Sequence, residues 1–283
     1  MLIKKPFKKG NGGIVAPYYK AAGGGAAYTG PGDVVSGAYA WYGLRGYNAA
    51  YATGSNPALD IVDQAGANQL TVNILSNGRL DVASISSWVT TNSVSTIKVK
   101  RIYDQSGNVR HVNQATLANM PVLNLTGFGS LPAIVFTAAN SHNLESSLTV
   151  TQAQPITVSM VEKHTANTGD ITSNAVTPLA FNTNIRLFAG SGADFAASVN
   201  TWHAVQAVAN NTSSAGYVDG SSTTGLTAGT NAPSGNTISI GKAVVSNAFD
   251  GSLAEAGYWP SGFNGTQAGD MNTNQHGVNG HNF

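Results

Sequence analysis

From residue 118 onward the chain is a succession of short runs separated by Gly, Asn and Ser. PVLNL, LPAIVF, PITVSMVE, PLAFN, IRLFAG, FAASV, WHAVQAVA, SAGYVDG, TISIGK and SLAEAGYW follow one another and leave no room for a long helix. Runs of strand length with turn residues between them bury their apolar sides by pairing, which predicts an antiparallel sandwich or jelly roll. No fixed-period repeat divides the chain, as a solenoid or propeller would require. The earlier part is less uniform. QLTVNIL (69–75) alternates and predicts a strand, followed by an Asn77-Gly78 turn. DVASISSWVTT (81–91) predicts a short helix capped by Asp81. TIKVKRIY (96–103) alternates strictly and predicts a strand, and DQSGN (104–108) a polar turn. In SGAYAWYGLRGYNAAYA (36–52), Ala40, Trp41, Leu44, Tyr47 and Asn48 fall near helical spacing, which predicts a short helix.

Composition bounds the partners. The 283 residues suffice for one large all-β domain or two ordinary ones. The chain has no cysteine, which excludes disulfides, thiolate metal sites and a cysteine nucleophile. A net charge of +1, with 10% of residues charged, gives no steering toward nucleic acid or a membrane. There is no P-loop, dinucleotide fingerprint or nucleic-acid motif, and no apolar window of membrane length. The six histidines show no metal-binding i, i+4 pair, so neither a metal nor another cofactor is expected. MLIKKPFKKGNGG at the amino terminus has charge but no apolar signal core, so synthesis in the cytoplasm without a signal peptide is expected.

Three segments follow from this reading. Residues 1–30 form a basic, Gly-rich extended arm in which Lys4, Lys5, Lys8 and Lys9 are expected to dock on a neighbouring subunit. Residues 31–264 form the sandwich. Residues 265–283, rich in Gly and Asn, are expected to be an irregular tail.

Two sets of residues carry a family resemblance. Trp202-His203-Ala204-Val205, Gly216-Tyr217-Val218-Asp219-Gly220, Ile238-Ser239-Ile240-Gly241 and Phe249-Asp250-Gly251-Ser252-Leu253-Ala254-Glu255 together resemble the laminin-G, concanavalin A-like module. In that reading Asp219-Gly220 is a hairpin tip needing positive φ, and Ile240, Leu253 and Trp202 point into the sandwich. Ala38 to Tyr51, with Lys100-Arg101-Ile102-Tyr103-Asp104-Gln105-Ser106-Gly107-Asn108, His111 and Gln114-Ala115, resembles the catalytic domain of the B-type fungal α-L-arabinofuranosidases, glycoside hydrolase family 54. Bacteriophage structural proteins carry this domain too, often behind a lead-in like Tyr28 to Val35. The implied fold is an all-β, concanavalin A-like jelly-roll sandwich with a few short helices.

A retaining glycosidase needs two carboxyl groups about 5 Å apart. The resemblance places the nucleophile at Asn184, near Arg186, and the acid/base just after Ile240-Gly241, at Lys242 and Ala243. Neither position carries a carboxylate, and an amide cannot form the glycosyl ester. Asp194 and Asp250 are the nearest acids that could stand in. Asp104, Ser106 and Asn108 have the alternation of a calcium loop but lack its twelfth-position Glu, so an Asx-turn is the expected role. Tyr42, Tyr51, Asp104, Asn108 and His111 are the candidate sugar-binding residues, while Trp41 and Tyr47 are expected in the core and Asp219 and Glu255 in structural roles. The leading expectation is a non-catalytic component of a virus particle, a capsid decoration, head-fibre or tail protein. Its expected partners are other particle proteins through the arm, further copies of itself and host surface glycans. The alternatives are an arabinofuranosidase-type hydrolase and a stand-alone carbohydrate-binding module.

Overall fold

The computed structural model describes residues 27–165, 169–173, 179–181, 184–231, 234–241, 248–277 and 280–281. After a one-turn helix α1 (Pro31–Val34) come β1 (Ala40–Gly43), β2 (Asn56–Val62), β3 (Gln69–Ile74), helix α2 (Val82–Thr91), β4 (Lys98–Ile102) and β5 (Val112–Asn113). Then follow β6 (Val122–Phe128), β7 (Leu131–Phe136), β8 (Leu144–Thr151), β9 (Ile156–His164), β10 (Gly169–Ser173), β11 (Leu179–Phe181), β12 (Ile185–Phe188) and β13 (Gly192–Phe195). The chain continues through β14 (His203–Ala209), β15 (Ser214–Val218), β16 (Ser221–Leu226), β17 (Ser234–Ile240), β18 (Gly251–Trp259) and helix α3 (Gly265–His276).

All described pairings between these strands are antiparallel, and they sort the strands into two layers. The larger layer runs β3–β2–β4–β5–β8–β17–β10–β11–β12–β13. The smaller runs β16–β15–β14–β9–β18–β1, with β7 and β6 attached through β18. A single pair, Lys98 with Val122, stitches β4 to β6 and joins the layers at one corner. This is the all-β sandwich that the turn-punctuated sequence requires.

Alternation decides which side each strand buries. In β12 Ile185 and Leu187 are buried while Arg186 and Phe188 are exposed. The main core joins Leu59, Ile61, Val72, Val99, Ile102, Val112, Leu144, Ile238 and Ile240 of the larger sheet to Val158, Met160, Val205, Leu253 and Tyr258 of the smaller. A second core lies outside the smaller sheet. There Trp41, Tyr47, Val208, Tyr217 and Trp259 pack against Phe263, Ala268 and Met271 on and just before α3.

Three expectations are corrected. The 36–52 segment is not helical, because Ala40–Gly43 pairs with Glu255–Tyr258 as an edge strand. Gly43 belongs there for space, since a Cβ on it would lie 2.1 Å from the Trp41 ring. The carboxy-terminal tail is not irregular up to residue 276. Asn264 caps α3 by accepting from the Gln267 amide, and the Gln267 side chain caps Asn264 in return. Trp202 does not point between the sheets but stacks on Phe128, ring centroids 4.0 Å apart, beside Ala204 and Ala254 on the far side of the smaller sheet. Asp219 and Gly220 do form the expected tip, with φ of 50° and 82°, and Asp81 caps α2.

Candidate functional site

The outer face of the larger sheet carries a group of polar side chains around β4 and β5. Arg101 on β4 and Tyr103 just after it point to this face, as do Asn113 on β5 and His111 just before it. The Arg101 guanidinium lies 5.4 Å from the Tyr103 ring centroid, and Tyr103 meets His111 edge-on at 4.9 Å. Arg101 donates from Nε to the Asn113 side-chain oxygen at 2.5 Å. Beneath them Asp60 of β2 is 4% exposed and accepts from the Tyr103 hydroxyl at 3.1 Å and from Thr71 Oγ1 at 2.7 Å, with Arg101 Nη1 at 3.6 Å. The result is a half-buried set of acceptor, guanidinium, phenol, imidazole and amide, held in place by its own bonds.

The DQSGN turn braces this set from behind. Asp104 is buried and accepts from the amides of Trp41, Ser106 and Arg110. The Ser106 bond is the expected Asx-turn, and all of these carboxylate contacts are to backbone N–H groups. Gln105 locks the turn to the β1 segment through Tyr47 N–H and Gly43 C=O. The most recognisable motif of the sequence is therefore a splint for the edge strand. Asp104 N–H donates to His111 Nδ1 at 2.9 Å. Burial pushes the His111 pKa down, so the ring is neutral and its Nε2 carries the proton.

The other expected sugar-binding residues divide. Asn108 donates to the Ala38 and Tyr39 carbonyls and closes the turn. Tyr42 is 1% exposed, its hydroxyl donating to the Arg110 carbonyl, so it presents no ring face to a ligand. Burial beside the β1 core overrides the stacking role expected for it. Tyr51 is half-buried, donates to Pro57 C=O, and is pushed up to about 12 by burial. Next to the turn, Arg110 stacks on the Tyr39 ring at 3.9 Å. The sequence reading missed Asp60, Arg101, Tyr103 and Asn113 as site residues. The strict alternation of 96–103 marks Arg101 and Tyr103 as sharing one side of a strand, but not what stands opposite them.

Of the two expected catalytic positions, the described residues include one. Asn184 is an exposed bend residue before β12, and Lys242 and Ala243 lie outside the described residues, as do Lys4, Lys5, Lys8 and Lys9. Asp194 is held by both arms of Arg186, at 2.6 and 2.8 Å, and that bond holds its carboxyl below the usual range. Asp250 accepts from Thr165 Oγ1 and the Ala138 amide. The stretches 174–178, 182–183 and 242–247 contain no Asp or Glu.

A buried acid–histidine cluster lies on the inner face. Glu162, with no exposed surface, faces His164 at 3.1 Å, and burial raises its pKa. Its place was readable, since it is in phase with Ile156, Val158 and Met160. Nearby His203 Nδ1 lies 2.6 Å from Asp219, and Nε2 lies 3.1 Å from Ser198 Oγ. These distances mimic a nucleophile triad. Nε2 is closer, at 2.9 Å, to the Ser198 carbonyl, so both ring nitrogens face acceptors. Burial opposes the charge, but Asp219 and the Ser198 carbonyl outweigh it and raise the His203 pKa. With Asp219 at Nδ1 and the Ser198 carbonyl nearer to Nε2 than the Ser198 hydroxyl, the arrangement is that of an internal brace. Among the described residues no three His, Asp or Glu side chains are placed to hold a metal.

The architecture has counterparts among solved structures. It is similar to an arabinofuranosidase complexed with arabinofuranosyl-α-1,2-xylobiose, at 14% identity and a TM-score of 0.66 over 87% of this chain. It is equally similar to a GH54 α-L-arabinofuranosidase soaked with a cyclic sulfate inhibitor, at 13% identity and a TM-score of 0.66. The fold is GH54-like. The chain spans 64% of the length of each of these structures. No protein-family model and no curated protein sequence matches it. At these identities the likeness is one of fold.

Proposed function

We propose that this GH54-like sandwich is a carbohydrate-binding domain that recognises a neutral glycan on the outer face of its larger sheet without cleaving it. The observation that carries this reading is the half-buried set of Arg101, Tyr103, His111 and Asn113 over Asp60. Phenol and imidazole rings offer apolar surface with a polar edge, and the amide, guanidinium and carboxylate match hydroxyls that both donate and accept. The absence of cleavage rests on the engaged state of Asp194 and Asp250 and on Asn184 at the expected nucleophile position.

Calorimetric titration with arabino- and xylo-oligosaccharides tests it, together with an aryl arabinofuranoside assay on the same preparation. Binding without turnover is expected. No heat with either series would end the binding claim. Turnover abolished by Asp194→Asn or Asp250→Asn would establish a hydrolase instead, the reading that the likeness to arabinofuranosidases favours. Docking of the basic arm on a neighbouring subunit is a separate proposal, and removing residues 1–25 and measuring the assembled mass decides it.

A further inference from the structure

The Arg101 set continues across the sheet. Thr71 stands opposite Asp60, Asp60 opposite Arg101, Arg101 opposite Asn113, and Asn113 opposite Glu145. Directly opposed residues share a face, so five polar side chains on β3, β2, β4, β5 and β8 form one row at right angles to the strands. The next row, Val72, Leu59, Ile102 and Val112, is buried in the main core on the opposite face. Thr71 and Glu145 are exposed, Arg101 and Asn113 partly so, and the row closes where Ser239 on β17, opposite Glu145, is 3% exposed.

We propose that this row is a track for an extended, uncharged glycan lying across the strands, a deepening that rests on the carbohydrate reading above. Three features support it. The first is spacing: adjacent strands lie about 4.8 Å apart, so four gaps span about 19 Å, close to the reach of about four sugar units in an extended chain. The second is spare bonding capacity. Arg101 uses Nε and Nη1 internally and leaves Nη2, while Glu145 accepts from Thr237 at Oε1 and leaves Oε2, among the described residues. An open donor in the middle of the row and an open acceptor at its end are what hydroxyls that both donate and accept can meet. The third is charge: two carboxylates flank one guanidinium, which disfavours an anionic chain.

The test is calorimetric titration of the full chain with linear xylo- and arabino-oligosaccharides of one to six units. Affinity in the bound series rises up to about four units and then levels. Glu145→Ala, at the far end of the row from Tyr103, weakens binding of the four-unit ligand by about fivefold to tenfold, the worth of one or two hydrogen bonds. It leaves the two-unit ligand unchanged and, being a surface change, leaves the melting temperature unchanged. Affinity independent of length, or a four-unit ligand indifferent to Glu145→Ala, overturns the track while leaving glycan binding at Arg101 and Tyr103 standing. No binding at any length overturns both.

Discussion

Arg45 and Arg101 both face a carboxylate, on outer faces of opposite sheets, and the contrast shows how the two faces are used. Arg45 lies 2.6 Å from Glu255, and neither side chain has any exposed surface. Arg101 lies 3.6 Å from Asp60, with 39% of its side chain exposed. Around the first pair polar partners crowd in: Gln275 Nε2 donates to Glu255 at 2.7 Å, Asn274 accepts from Arg45 at 2.8 Å, and His281 Nε2 lies 3.2 Å from Glu255. Burial alone would raise the Glu255 pKa, but Arg45 and His281 outweigh it and hold the carboxyl well below its usual range. Helix α3 supplies most of these partners and roofs the smaller sheet. The Arg101 pair has no such roof among the described residues. One face spends its polar groups on attaching a helix, and the other keeps them available.

The largest expected effect breaks the closed pair. Glu255→Ala leaves a buried guanidinium unpaired and costs about 3–5 kcal/mol in chemical denaturation. A loss under about 1 kcal/mol would mean that α3 does not depend on the pair. Arg101→Ala should do the reverse. Its stability cost stays near 1 kcal/mol or less, as for other partly exposed pairs, while calorimetry shows oligosaccharide affinity reduced at least about tenfold. Equal losses from both variants would erase the distinction between the faces.

An intermediate effect comes from the His203–Asp219 brace. His203 has a raised pKa, so its contribution is present below the ordinary histidine value of 6.5 and is lost as pH rises through the raised value. Asp219 has a lowered pKa. Burial opposes that shift and His203 drives it, so its contribution is present above 3.8 and is lost as pH falls through the lowered value. Stability should therefore be greatest between the two, and His203→Gln should flatten the alkaline limb of a melting-temperature profile. Asp219 is 37% exposed at its side chain, which limits the effect to about 1 kcal/mol. The smallest effect belongs to Asp194→Ala. Its pair with Arg186 is about half exposed on both sides, so the expected change is within about 1 kcal/mol by denaturation.

Much of the fold was legible because alternation and turn chemistry are local. The strand at Lys98–Ile102, the cap at Asp81 and the positive-φ tip at Asp219-Gly220 each follow from a few neighbouring residues. The misreadings have nonlocal causes. Ala40–Gly43 reads as helical until Glu255–Tyr258 offers it an edge to pair with. The tail from Gly265 reads as irregular because Gly and Asn are weak helix formers. Its helix is secured by Met271, Ala268 and Gln275 burying against distant strands. The site was legible only in part. His111 was recognised from its motif and lies at the site, Tyr42 turned out to be core, and Asp60 and Asn113 had no local signal.

By itself the sequence determined that the chain makes an antiparallel sandwich and where its tight turns fall. Those are properties of short windows and of residue identity. Only the tertiary structure decided which side of each strand is covered and which residues stand opposite one another. Thr71, Asp60, Arg101, Asn113 and Glu145 are scattered over 86 positions of the chain, since residue 60 and residue 145 lie at its ends. Strand register alone makes them a row, because it aligns distant residues across hydrogen bonds that no local pattern encodes.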